Sequence, residues 1–149
     1  MSIVGPFPTA QVVARLQATN AFKLVGAAAH LDAALDTQPA VFPAAYVLVN
    51  ERSSEPRGYS GGVMSQKTQP IIQVILFAQN YTSGTPGSAA LKDMDALVTV
   101  TRAALLNWSP SPAFTKLHHI AGRSERFKSS FLLWQEMFRC QYTMEQSAS

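Results

Sequence analysis

The residues of this chain that could do chemistry are one thiol, three imidazoles, a few carboxylates and one glycine-rich run. Cys140 could serve as a nucleophile with His30, His118 or His119 as its base, since such partners meet in space and not in sequence. It falls on the apolar face of a strand-like segment, however, which predicts a buried and inert thiol. His118 and His119 are adjacent, so on a strand their side chains point to opposite faces and cannot share a metal ion. Asp93 and Asp95 sit at a spacing that turns two helical side chains away from each other, which removes the local case for a carboxylate dyad. The run Arg57-Gly58-Tyr59-Ser60-Gly61-Gly62 has no Gly-Lys-Ser or Gly-Lys-Thr ending and opens no helix, so it is read as a loop and not as a phosphate cradle. No catalytic residue, metal or cofactor is expected.

Basic residues form the other candidate set. Arg52, Arg57 and Lys67 decorate one hairpin, and Arg123, Arg126, Lys128 and Arg139 gather near the last turn. They are read as a solvated rim, with a salt-sensitive nucleic-acid lining as the sharper alternative. Twelve Lys and Arg against nine Asp and Glu give a formal charge of +3, without the runs that duplex-binding proteins align along one face. At 14% charged residues the chain falls well below the soluble average of about 25%, which leaves surface for partners to cover.

These residues must be positioned by a chain of 149 residues, the usual size of one domain, expected to span 1–149 with a frayed tail over 145–149. Met1 to Pro8 has no basic region followed by an apolar core, so synthesis in the cytoplasm is expected. The most apolar stretch, Pro70 to Ala78, is far shorter than the ~20 residues of a membrane-spanning helix.

Periodicity supplies the elements. Val12, Val13 and Leu16 predict a helix over Pro8 to Ala18, and Leu91, Met94, Val98 and Leu105 predict one face of a longer helix from Ala89 to Leu106, capped by Ser88 and stopped before Pro110. A short strand is expected over Phe22 to Ala28 and one or two helical turns over His30 to Leu35. Val41 to Val49 and Ile71 to Phe77 read as strands, the second covered on both sides. Between them, Asn50 to Gly62 is expected as a long mobile loop, with Val63 to Gln69 as an incoming arm that projects beyond the sheet and Pro70 beginning or bulging the buried strand. Asn80 to Gly87 is a second loop. Lys116 to Arg123 is a further strand candidate, and in Phe131 to Met144 the alternation of Leu132, Trp134, Phe138, Cys140, Tyr142 and Met144 favours a strand, although Glu136 breaks its apolar face. The fold class is therefore α+β: one mixed or antiparallel sheet, a long helix and an N-terminal helix packed on it, and a projecting β-hairpin arm.

This order of elements, with a long helix ending in Ala104-Leu105-Leu106-Asn107-Trp108-Ser109-Pro110 and a closing Trp134-Gln135-Glu136-Met137-Phe138 strand, resembles the tail terminator, or tail completion, proteins of long-tailed bacteriophages over about Ile3 to Glu145. The resemblance implies a non-enzymatic virion protein that joins five further copies of itself in a hexameric ring. Such a ring caps the tail tube at its head-proximal end, stops its growth and offers a surface to the head-tail connector protein, with DNA only as cargo through its centre. A closed ring needs a heterologous contact, one patch meeting a different patch on the next copy. Arg52, Arg57, Tyr59, Lys67, Arg123, Arg126 and Lys128 are the residues expected at subunit or tube interfaces. The alternatives are another small neck or connector protein of the same particles, or a weakly basic nucleic-acid-binding module.

Overall fold

The computed structural model describes residues 5–36, 39–57, 62–79, 88–124 and 131–147. In chain order the elements are α1 (Thr9–Ala18), β1 (Leu24–Ala27), a 3-10 turn over Ala28–His30 leading into α2 (Leu31–Asp36), β2 (Ala44–Ser53), β3 (Val63–Gln79), α3 (Ser88–Leu105), β4 (His118–Ser124), β5 (Phe131–Arg139) and β6 (Tyr142–Ser147). The strands make one sheet in the order β1-β2-β3-β5-β4, with β6 also on β3. β1 runs parallel to β2 and the other pairs are antiparallel, so the α+β sheet is of the mixed kind.

α1 buries Val12 and Leu16 and exposes Gln11, Arg15 and Gln17, as its helical period requires. It ends where Asn20 takes a left-handed conformation, φ 59°, which asparagine tolerates better than most residues. Asn107, also at φ 59°, turns the chain just after α3, and the loop that follows is closed by hydrogen bonds from Asn107 N–H to Leu117 O and from Leu117 N–H to Trp108 O.

The centre of the sheet is β3, seventeen residues long. Ile71 to Gln79 pair with β5, and Val63 to Thr68 pair with β6 in the same register, so β5 and β6 are one strand interrupted at Cys140 and Gln141. Pro70 explains the interruption. It has no N–H to offer on that side, but its carbonyl accepts from Cys140 N–H, while Gln141 turns outward to exchange hydrogen bonds with Thr115. Proline thus sits inside a central strand at the point where the neighbour steps away.

Three expectations are corrected here. Asn50 to Ser53 are not loop: they continue β2 and pair with Ile71 to Thr68, because the ladder satisfies the backbone whatever the side chains are. Val63 to Gln69, expected as one arm of a β2–β3 hairpin, gain a third strand beside them. They are flanked by β6, while β2 and the bridge between Arg57 and Ser65 lie on the other side, and no side chain from Val63 to Lys67 is buried. Glu145 to Ser147, expected to fray, pair with Ser65 to Val63. The expected loop over 80–87 lies outside the described residues.

Two apolar clusters lie on opposite faces of the sheet. On the first, Val47, Ile72, Val74, Leu76, Phe138 and Tyr142 pack under α1 and α3. On the second, Tyr46, Ile75, Phe77, Phe131 and Leu133 pack under α2, with Leu31 and Ala34 as the helical contribution. The face of α3 turned to the sheet is Met94, Leu97, Val98, Thr101 and Leu105, whereas Leu91, expected in that stripe, is 52% exposed. Leu97 and Thr101 join Met94 and Leu105 at spacings of three and four, and Leu91, three residues before Met94, fits the same period, so the position of the sheet and not the period leaves it exposed. Phe138→Ala is accordingly expected to cost about 3–5 kcal/mol in urea unfolding, and Leu91→Ala less than about 0.5 kcal/mol. Equal losses would contradict this assignment of faces.

Candidate functional site

The groups with nucleophilic or ligating potential are dispersed. Cys140 is buried against the first cluster, and burial first, then the charge of Glu51, pushes its thiol up to about 12, so the thiolate that attack requires is scarce near neutral pH. β4 places His118 opposite Arg139 and His119 opposite Phe138, on different faces of the sheet. The ring of His119 meets that of Phe138 edge-on at 5.5 Å. Asp93 and Asp95 are both exposed on α3. No group of three potential metal ligands gathers among the described residues.

Among the described residues, a buried polar constellation is centred on Glu136, whose side chain is fully buried on the helix-facing side of β5. Arg102 of α3 donates from Nε to Oε2 and from Nη2 to Oε1, both at 2.9 Å, and Trp134 Nε1 donates to Oε1 at 2.8 Å. His119 Nε2 lies 3.1 Å from Oε2, close beside the carboxylate. Gly122 faces this carboxylate across the β4–β5 pair, and any β-carbon there would collide with Oε1. Burial pushes the Glu136 carboxyl up, but the donors from Arg102 and Trp134, with His119 beside them, outweigh it and hold the group below the usual glutamate range.

The stability Glu136 contributes is therefore present above the ordinary glutamate value near pH ~4.3 and lost as pH falls through its lowered folded value. In Arg102→Met the burial cost is left without its main offset, which reverses the direction. The variant is expected to lose about 1–3 kcal/mol at pH 7, discounted because Arg102 is partly exposed, and the gap to the unaltered chain is expected to shrink at pH 4. Denaturant titrations at the two pH values that gave the same gap would refute this account.

A second carboxylate ties down the chain start. Glu51 accepts from Phe7 N–H at 3.0 Å and from Tyr142 O–H at 2.8 Å. Phe7, Phe114 and Tyr142 stack edge-to-face beside it, at centroid distances of 5.3 and 4.9 Å. Sequence reasoning missed both carboxylates as organising groups. The only signal was the break that Glu136 makes in an apolar alternation.

Of the basic residues singled out in the sequence, Arg52, Arg57 and Lys67 are brought together. They line a groove of about 440 Å³ on the arm with Ser54, Gln69 and Gln141, and Glu55 adds a carboxylate. Arg123 is not part of it: it lies on β4 opposite Gln135. Tyr59, Arg126 and Lys128 lie outside the described residues. The groove is an open, charged surface suited to contact with another macromolecule and has no buried group that would act on a ligand.

No curated protein matches the sequence. The family model described as phage tail terminator protein matches residues 2–149. With a match over almost its whole length, the chain belongs to the phage tail terminator family, structural proteins of tail completion in the phage particle.

Proposed function

We propose that this chain forms a hexameric ring that seats on the head-proximal end of the tail tube, ends tube growth and presents the surface to which the head-tail connector joins. The observation that carries this reading is the family match across residues 2–149. The geometry supports it in two ways. The long β2–β3–β6 arm is held on both sides, so it is a stiff lever able to reach a neighbour. The groove that Arg52, Arg57 and Lys67 line on that arm is an open charged surface for such a contact, and Arg123, Tyr59, Arg126 and Lys128 are proposed as further subunit or tube contacts. DNA passes through such a ring as cargo, and no step of this function calls on catalysis, a cofactor or a membrane.

Particles assembled without this protein are expected to carry tails of uncontrolled length or tails that never join a head. Electron microscopy of the purified chain mixed with tail tubes is expected to find rings at tube ends, unaffected by added DNA. Tails of normal length joined to heads in its absence would overturn the reading. A chain that ignores tubes but binds DNA with steep salt dependence would favour the nucleic-acid module instead.

A further inference from the structure

The two faces of the sheet are covered unequally. Along Ile72, Phe138 and Tyr142 the first face is buried under α1, α3 and the Phe7 and Phe114 rings. The second face is covered by α2 only at the end where Ala44 pairs with Phe77. Towards the arm it opens into a bay in which Leu48, Ile71 and Met137 are only half-buried. Alternation from the register puts Arg52, Lys67 and Arg139 on this same face, around those apolar side chains. Among the described residues Glu145 on β6 and Glu55 beside Arg52 and Lys67 are the carboxylates near it, and the cations outnumber them once Arg57 is counted.

At the opposite end of the same sheet stands a segment of complementary character. α2 buries Leu31 and Ala34 and turns Asp32, Leu35 and Asp36 outward, and the stretch Ala28 to Asp36 holds no lysine or arginine. Leu35 is 39% exposed, an apolar side chain flanked by two carboxylates. From Phe77 beside α2 to Lys67 beside the bay is ten strand residues, roughly 33 Å, so one copy cannot bring its own two patches together. A second copy can.

We infer that α2 of one copy docks into the open sheet bay of the next, with Asp32 and Asp36 meeting Arg52, Lys67 and Arg139, and Leu35 meeting Ile71 and Met137. The contact is heterologous, since the two patches differ and lie at opposite ends of the sheet, and it is the type of contact that closes into a ring. This inference rests on the ring reading above and names the surfaces that make it. Charge complementarity sets the register and speeds encounter, while the half-buried apolar side chains gain burial on docking.

The test uses two full-length variants, Arg52→Glu with Lys67→Glu, and Asp32→Lys with Asp36→Lys. Each variant alone would juxtapose like charges at every contact, and the concentration needed for half-assembly is expected to rise about tenfold or more. Mixed in equal amounts, the basic α2 of one faces the acidic bay of the other and the reverse holds at the next contact, so rings of alternating variants are expected to return. Mass photometry and images of tube ends read both results. Restoration in the mixture also shows that both variants are folded. If each variant alone assembles as readily as the unaltered chain, if the mixture fails to restore rings, or if the unaltered chain forms two-copy particles and goes no further, the assigned surfaces are wrong. If the unaltered chain forms no ring even with tail tubes present, the ring reading itself fails, which is a separate result.

Discussion

The structure depends on β3 having a neighbour on one side along nearly all of its seventeen residues and on the other along the ten from Thr68 to Phe77. A strand of that length is far longer than the five or six residues usual in globular proteins. It survives because β2 covers one side from Thr68 to Phe77 and the β5–β6 strand covers the other from Val63 to Gln79, apart from the step at Pro70. The helices are much shorter than this strand, and α2 is only six residues long. One face of the sheet is therefore roofed and the other partly bare. The bare part follows from the proportions of the elements and is not a defect of folding.

Glu136 shows a related constraint in the roofed half. Placing a carboxylate among Trp134, Phe138 and Leu132 costs solvation, and an apolar residue of similar size would avoid that cost. What the charge adds is specificity. Two parallel bonds to Arg102 require α3 to lie at one height along β5, and contact with Gly122 requires β4 to approach without a side chain between. A slip of one residue in β5 would carry Glu136 to the opposite face and leave Arg102 without it, and a slip in β4 would replace Gly122 by a residue with a side chain. The cluster thus locks α3, β5 and the edge strand β4 into one arrangement, which would suit a subunit of the proposed ring, whose surfaces must meet in one geometry.

Much of this was legible in the sequence and some of it could not be. α1, α3 and β5 announced themselves by period, since Val12 with Leu16 and Leu132 with Phe138 are buried as their spacing requires. The end of β2 did not, because Asn50, Glu51, Arg52 and Ser53 look like loop residues. Asn50 and Arg52 face the bare side of the sheet, where polarity is compatible with a strand, and Glu51, exposed on the other face, is held there by donors from Phe7 and Tyr142, 44 and 91 residues away. Partners at that separation leave no local trace. The same holds for Glu136, whose main partner lies 34 residues earlier in another element. Leu91 was assigned to the wrong face because four apolar residues fit one stripe nearly as well as the buried set, and only the position of the sheet decides between them.

The distribution of charge gives these proportions a consequence for assembly. Arg102 and Glu136 spend their charges on each other inside the subunit, and Glu51 spends its charge on the chain start. Two parts of the remaining surface differ in sign: α2 carries Asp32 and Asp36 with no lysine or arginine in its own sequence, whereas on the bare face Arg52, Lys67 and Arg139 outnumber Glu145. Had the two sets been interleaved on one surface, two copies would attract in many orientations with similar energy. Separated by the length of the sheet, they favour one orientation, head to tail, and oppose like ends meeting. In the proposed ring, such a subunit would discriminate between correct and incorrect neighbours through repulsion as well as attraction. A rigid arm would preserve that discrimination by holding the bay at a fixed distance from α2, which would fix the angle that each added copy turns.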